Sequence, residues 1–364
     1  MKIDGRPYRT IWLAADGRSV EVIDQTKLPH AFETQRWETV ADAADGIRAM
    51  VVRGAPLIGA AGAYGMALAA NADPSDDALV EAYSLLLATR PTAVNLAWGL
   101  DRVTREIATI PPAERAAAAY QSAAEIADED VATCRAIGEY GSRLISDTYD
   151  LIGRDRPINV LTHCNAGWLA TVDWGTALAP VYVAHDAGIP VHVWVDETRP
   201  RNQGASLTAW ELSHHGVPHT VIADNVGGHL MQHGMVDLCL VGSDRTTAAG
   251  DVCNKIGTYL KALAADDNEV PFYACVPSST IDWTLSDGVK EIPIEQRDGR
   301  EVSEISGMTA DGTMATVRVT PTGSPVANYA FDVTPSRYVT GIVTERGIAH
   351  ATRAGLGRLF PEFA

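Results

Sequence analysis

The chain has 364 residues, 46% hydrophobic and 21% charged, a composition typical of a globular protein with a sizeable core. Its formal charge of −17 argues against nucleic acid or an anionic membrane as a bulk partner, because both are bound through a basic surface. The sequence shows no apolar run long enough to span a membrane and no N-terminal signal segment. The five cysteines form no C-x-x-C pair, which favours reduced thiols and a cytoplasmic location.

Residues 1–37 predict a small antiparallel cap. Apolar runs at 10–13 and 20–23 are typical of strands, and the turn signal at 15–17 lies between them. No chemistry is assigned to this region.

Helices are predicted from about residue 39 to residue 148. Thr39 and Asp42 have the spacing of a capping box, and an apolar helical face follows them. Arg53-Gly54-Ala55-Pro56 ends this helix, with Pro56 suited to the first position of the next. Free amides at that start, beside Arg53, favour an anion site. An ordinary helix–loop–helix corner with a solvated arginine is the alternative.

Arg90-Pro91-Thr92 repeats this arrangement, with Thr92 as the predicted cap of a helix that begins at Ala93. Pro111-Pro112 is predicted to start a long alanine-rich helix, in which the acidic run 128–130 forms a solvated face. We therefore expect an N-terminal domain over residues 1–150, made of the β cap and helices, and a second domain over residues 151–364.

The pattern changes after residue 157 to alternating strands and helices. This alternation is typical of an α/β fold with a parallel sheet covered on both faces. No G-x-G-x-x-G follows the first strand, so the dinucleotide fingerprint is missing. Strands are predicted at 158–161, 191–195, 220–223, 238–241 and 272–276, and helices near 175–187, 204–214, 226–233 and 255–264.

Polar side chains follow each of these predicted strands. Ligands of open α/β sheets bind outside the carboxyl ends of the strands, so we expect these groups to meet at one site. Cys164 is expected to lie near bound ligand as a functional residue, although an isolated cysteine is more often inert packing. Asp244 is the candidate acid or base, with a salt bridge to Arg245 or a helix cap as the alternative. The polar groups that follow the five predicted strands are Cys164-Asn165, 196–199, Asp224-Asn225, 243–245 and 277–279.

Two segments favour phosphate or sugar binding. Residues 199–204 offer Gln203, a flexible backbone and a helix start, and Asn254-Lys255 precedes another predicted helix.

Several motifs together resemble the 5-methylthioribose-1-phosphate isomerase family. They occur in the same order as in that family and extend from about residue 40 to residue 347. The matching motifs are RGAP at 53–56, RPTAVNL at 90–96, THCN at 162–165, DETRP at 196–200, GA at 204–205, GSDR at 242–245, NKIGT at 254–258, PSSTID at 277–282 and FDVTP at 331–335.

The resemblance implies an aldose–ketose isomerase of methionine salvage, with a helical N-terminal domain and a Rossmann-like C-terminal domain. It implies that Cys164 and Asp244 are the catalytic pair, with the aspartate as proton donor. It also implies a cytoplasmic homodimer that needs no metal or cofactor. The substrate-binding residues it implies are Arg53, Gly54, Ala55, Arg90, Gln203, Asn254 and Lys255.

The chain departs from the family pattern at Trp168, at Asp173-Trp174 and at Ser243. The tryptophans are expected to reshape the pocket around the 5-substituent, so 5-deoxyribose 1-phosphate and ribose 1,5-bisphosphate are alternative substrates. The regulatory subunits of a translation initiation factor share the fold as binding proteins, but they lack the cysteine–aspartate pair as a set.

Overall fold

The computed structural model describes residues 1–3, 5–90 and 93–363. Its first strands are β1 (Lys2–Ile3), β2 (Arg6–Pro7), β3 (Ile11–Leu13), β4 (Val20–Ile23) and β5 (Thr34–Trp37). β1 pairs with β2, and β3, β4 and β5 form an antiparallel sheet in that order. β3 and β4 are the two predicted strands, so the expected cap is confirmed, and β5 extends it.

The helices that follow are α1 (Val40–Arg48), α2 (Ala55–Ala72), α3 (Asp76–Leu87), α4 (Val94–Ile107) and α5 (Pro112–Leu151). α1 begins with the predicted capping box, in which the Thr39 hydroxyl accepts from the Asp42 amide. α2 begins at Ala55, one residue before the predicted start. α4 begins at Val94, and the predicted cap Thr92 lies outside the described residues.

Glycines allow α2 and α4 to pack with their backbones in contact. A Cβ atom added at Gly99 would lie 2.4 Å from the carbonyl oxygen of Gly59, far inside van der Waals distance. This close approach follows from the small residues of α2 and buries that helix almost completely.

The acidic run on α5 is only partly a solvated face. Asp128 and Glu129 are exposed, as predicted. Asp130 is not: its carboxylate accepts a hydrogen bond from the Val172 amide at 2.7 Å and ties α5 to a loop of the sheet region. The prediction is therefore wrong for Asp130, because the helix turns this position toward the sheet.

The remaining elements, in chain order, are β6 (Ile158–Thr162), α6 (Ala179–Asp186), β7 (Val191–Asp196), α7 (Ala209–His215), β8 (His219–Ile222), α8 (Val226–Gln232), β9 (Leu238–Val241), β10 (Arg245–Thr247), β11 (Val252–Lys255), α9 (Thr258–Asp267), β12 (Phe272–Cys275), β13 (Ile281–Asp282), α10 (Gly288–Glu291), α11 (Arg300–Ser303), β14 (Glu304–Met308), β15 (Met314–Arg318), β16 (Phe331–Thr334), β17 (Gly341–Thr344), β18 (Gly347–Ala349) and α12 (Arg353–Leu359).

Within the described residues, the main sheet has seven strands in the order β18-β17-β12-β9-β6-β7-β8. All neighbours are parallel except β18, which pairs antiparallel with β17. The predicted α/β fold is confirmed, with five strands close to their expected positions. Because the chain runs outward in opposite directions from β6, the crevice between β6 and β9 is the topological switch point where such sheets bind ligands.

A second sheet, in the order β13-β10-β11-β16, was not predicted from the sequence. It corrects one expectation: Asn254 and Lys255 lie at the end of strand β11, and the following helix α9 starts only at Thr258. Among the described residues, no helix combines the length and the apolar character needed to cross a membrane.

Candidate active site

A cavity lies at the switch point of the main sheet, and its volume is about 690 Å³ when the solvent-filled entrance is included. Every residue proposed for catalysis or substrate binding from the sequence lines this one cavity. These residues are Arg53, Gly54, Ala55, Arg90, Cys164, Gln203, Asp244, Asn254 and Lys255. The residues come from six separate segments of the chain, so the fold alone brings them together.

Cys164 lies just after β6 and has a left-handed backbone conformation, with φ of 69°. Non-glycine residues adopt this region rarely, and they do so most often at functional sites. Its amide donates to Thr198 Oγ1 at 2.8 Å, and the Thr208 hydroxyl donates to its carbonyl oxygen at 2.7 Å. The thiol donates to Gln203 Oε1 at 3.5 Å. These contacts fix the sulfur in the wall of the cavity.

Burial raises the pKa of the Cys164 thiol above its ordinary value of 9.0, while the positive charges of Arg53 and Lys255 oppose this shift. The thiol therefore keeps its proton at neutral pH, and it must release this proton before it can act as a base.

Asp244 precedes β10, and its amide donates to the Cys253 carbonyl oxygen at 2.9 Å. Burial raises the pKa of its carboxyl above the ordinary value of 3.8, and Arg90, Arg53 and Lys255 oppose the shift. The residue precedes a strand and caps no helix, and Arg245 forms an ion pair with Asp282 at 3.8 Å. A carboxyl with a raised pKa inside a cavity is suited to acid–base chemistry.

Arg53 is buried, 6% exposed, and points at the loop that carries Cys164. Its guanidinium donates to the side-chain oxygen of Asn165 and, at 2.7 Å, to the Asn165 carbonyl oxygen. Burial lowers the pKa of Arg53 below its ordinary value. Of the two readings left open by the sequence, the solvated arginine is wrong, because the side chain is enclosed at the cavity.

Three arginines of the cavity are held by two glutamates that the sequence reading did not single out. Glu295 bridges Arg90 and Arg297, at 3.0 Å from each, and Glu301 bridges Arg201 and Arg297, at 2.9 Å from each. Burial alone would raise the pKa of Glu301, but hydrogen bonds from Arg297 and Asn328 lower it to about 2. Arg297 carried no local signal, because it belongs to an irregular segment far along the chain.

The cavity is a positive site on an acidic protein. Among the described residues that line it, five are cationic and one is a carboxylate. The cations are Arg53, Arg90, Arg201, Lys255 and Arg297, and the carboxylate is Asp244. Burial lowers the pKa of Lys255 from its ordinary value of 10.5. An anionic ligand such as a phosphate ester is the chemistry that this charge distribution favours.

Beside the cavity, two buried side chains, His163 and Asp196, and the partly exposed Asp224 form a cluster with metal-ligating atoms within 4.8 Å of one another. His163 Nδ1 lies 2.8 Å from Asp196 Oδ2, and the Lys261 ammonium lies 3.1 Å from the same carboxylate oxygen. Because the ammonium already occupies this carboxylate, the cluster is poorly suited to a metal ion. Asp224 in turn accepts from the Thr198 amide at 2.7 Å, as expected of a turn residue.

The two tryptophans expected to reshape the pocket do not line it. Trp168 is 1% exposed and packs against Trp210, with ring centroids 6.1 Å apart. Trp174 also lies outside the cavity wall. This expectation is wrong: the loop after Cys164 turns Trp168 into the core, and Trp174 is half-buried away from the cavity. Ser243, the third departure from the family pattern, does line the cavity.

Comparison with known proteins decides the family. A sequence model described as the Initiation factor 2 subunit family matches residues 51–351. The chain belongs to this family. Its members include a methylthioribose-1-phosphate isomerase of Methylorubrum populi, which is 67% identical over 100% of this chain and 99% of that protein.

Two solved structures of the family resemble this fold over nearly its whole length. One is the 5-methylthioribose 1-phosphate isomerase of Pyrococcus horikoshii OT3, at 41% identity and a TM-score of 0.83, covering 98% of this chain and 97% of that one. The other is described as subunit delta of the translation initiation factor eIF-2B from A. fulgidus, at 38% identity and a TM-score of 0.79, covering 98% of this chain and 100% of that one. The predicted family is confirmed.

Proposed function

We propose that this protein converts 5-methylthioribose 1-phosphate into 5-methylthioribulose 1-phosphate in methionine salvage, as an aldose–ketose isomerase. Cys164 and Asp244 are the proposed acid–base pair. The proposed substrate-binding residues are Arg53, Gly54, Ala55, Arg90, Gln203, Asn254 and Lys255. The relatives that are 62–67% identical over their full length all carry the name of this isomerase, which supports the reaction.

One observation carries the proposal. A thiol and a carboxyl, both with raised pKa, share a cavity that five cations surround in a chain with a net charge of −17. The cations suit the phosphate, and the two protonatable groups suit an isomerisation, in which hydrogen moves between neighbouring carbons.

The substrate's chemistry assigns the roles. Its anomeric carbon carries the phosphate, so the ring cannot open freely to an aldehyde. Asp244 donates a proton to the ring oxygen as the bond from C1 to that oxygen breaks. Cys164, as the thiolate, then takes the C2 proton and delivers a proton to C1 through an enediolate-like state. The C2 hydroxyl becomes the carbonyl as its proton passes to the Asp244 carboxylate, which restores the carboxyl. A direct hydride shift from C2 to C1 is the competing route.

The apolar part of the cavity supports the proposal that the substrate carries a methylthio group. Met50, Pro56 and Phe331 line the wall together with Ala170 and Ala330. An apolar thioether gains from such a wall, whereas a second phosphate would have to be desolvated against it.

Turnover tests the proposal. Purified protein without added metal is assayed on 5-methylthioribose 1-phosphate and on 5-deoxyribose 1-phosphate, beside Cys164→Ser and Asp244→Asn. We expect the methylthio substrate to be preferred and kcat to fall by about 10²–10⁴ in both variants, the range for loss of a general acid or base. A preference for the deoxy sugar would keep the mechanism but place the enzyme in another pathway. No turnover of either sugar would refute an isomerase of these two substrates and would favour ribose 1,5-bisphosphate as the substrate, or a binding protein.

The hydrogen-transfer step has its own test. Proton transfer through Cys164 predicts that solvent deuterium enters C1 of the product during turnover in D₂O. Complete retention of the C2 hydrogen at C1 would favour the hydride shift.

We also propose a cytoplasmic homodimer. Five free, buried cysteines suit a reducing compartment, and the dimer rests on the family resemblance. Light scattering on the purified protein measures the oligomeric state directly.

A further inference from the structure

A fully buried carboxylate lies directly behind the loop that carries Cys164. Glu211, on α7, is 0% exposed. Its Oε1 accepts from Asn165 Nδ2 at 3.0 Å and from the Leu169 amide at 2.8 Å. Its Oε2 accepts from the Trp168 amide at 2.9 Å and from the Tyr182 hydroxyl at 2.9 Å. Four donors occupy the acceptor positions of the carboxylate and favour its ionised form, against burial, which raises its pKa to about 7.

The hydrogen bonds continue from Glu211 to the cavity. Because Asn165 Nδ2 is taken by Glu211 and by the Thr208 hydroxyl at 3.1 Å, its side-chain oxygen must face the other way, toward Arg53. Arg53 donates to that oxygen and to the Asn165 carbonyl, and its guanidinium lines the cavity. The orientation of the asparagine amide is thus determined by a carboxylate that the substrate never touches.

The surroundings leave little freedom for this arrangement to change. A Cβ atom at Gly167 would lie 1.7 Å from Glu211 Oε2, so the loop passes directly over the carboxylate. The negative charge of Glu211 also stabilises the charged form of Arg53, which burial disfavours.

We infer that Glu211 is a positioning residue of the isomerase, whose buried negative charge orients Asn165 and thereby holds the Arg53 guanidinium in place for the substrate's phosphate. The inference rests on the proposed function for its kinetic readout, but the contact chain also predicts the affinity of the protein for a simple anion.

The test uses the full chain at pH 8, with Glu211→Gln, Asn165→Asp and the double variant. Glu211→Gln removes the negative charge. Arg53 binds the phosphate equally in the ground state and the transition state, so weakening this contact should raise KM about tenfold while kcat changes less than threefold. Asn165→Asp places two carboxylates about 3 Å apart in the core and should be impaired as well. The double variant again has a single negative charge beside Arg53, so its KM should fall below that of either single variant.

Asp130→Asn is the matched control. Asp130 also accepts a backbone amide of the same loop, that of Val172 at 2.7 Å, but it is not linked to Arg53. We expect this variant to keep the wild-type KM, whatever its melting temperature.

Titration with inorganic phosphate separates this inference from the proposed function, because it needs no turnover. The phosphate Kd should rise about tenfold in Glu211→Gln, stay unchanged in Asp130→Asn, and recover in the double variant relative to Asn165→Asp. If Glu211→Gln does not fold, the comparison of Asn165→Asp with the double variant decides alone. Equal KM and phosphate Kd in wild type and Glu211→Gln, equal effects of Glu211→Gln and Asp130→Asn, or no recovery in the double variant would each overturn the inference.

Discussion

Gly54→Ala tests how closely the cavity is built around its backbone. Gly54 has a φ of 103°, and an added Cβ would lie 2.4 Å from the backbone carbonyl oxygen of Ala170. With a ψ of 137°, this backbone conformation lies outside the left-handed helical region and costs a residue with a Cβ about 2 kcal/mol. The overlap with a backbone atom, which cannot rotate away, costs about 1–3 kcal/mol more. We therefore expect the free energy of unfolding to fall by about 3–5 kcal/mol.

The assay is urea unfolding followed by tryptophan fluorescence, with the m-value checked for each variant. Gly17→Ala is the matched control: Gly17 has a φ of 70°, but no atom of the described residues lies within 4 Å of the added Cβ. That control carries the backbone strain alone and should lose about 1–2 kcal/mol. If the losses of unfolding free energy in Gly54→Ala and in Gly17→Ala differed by less than about 1 kcal/mol, the close-contact argument would be refuted.

Two further predictions concern charge. Burial raises the pKa of Glu211 to about 7, well above the ordinary 4.5, despite the hydrogen bonds that oppose it. The protonated carboxyl therefore stabilises the fold fully below about pH 4.5, and this stabilisation is lost as the pH rises through 7. From pH 5 to pH 8, the free energy of unfolding of the wild type should fall by about 3 kcal/mol relative to that of Glu211→Gln. Parallel curves of unfolding free energy against pH for the two proteins would contradict this. Arg297→Gln removes a cation of the cavity. The KM should rise about tenfold or more, because a charge-assisted hydrogen bond contributes about 1.5–3 kcal/mol. An unchanged KM at low salt would exclude Arg297 from substrate binding.

Local patterns in the sequence were sufficient to predict much of the fold. The capping box at Thr39, the strand before Cys164 and the alternation after residue 157 are each encoded by neighbouring residues, so periodicity and capping chemistry identify them. The nine proposed site residues were also named from the sequence, and the fold brings all nine together around one cavity. Family motifs carried most of that identification, and the strand-end rule explains why the cysteine and the aspartate meet. The domain boundary near residue 150 stays a prediction.

Tertiary structure decided what depends on distant partners. Strands β10, β13 and β16 have only two to four residues, too few for a period to show, and they exist because they pair with one another and with β11. Arg53 meets Asn165 across 112 residues of chain, and Asn165 meets Glu211 across 46. No local pattern encodes such contacts, since an arginine or a glutamate favours the surface until a fold encloses it with its partners. The sequence by itself thus predicted the longer helices and strands and the candidate reactive residues, and only the folded chain determined the short strands, the environment of the charged groups and the buried network behind the cavity.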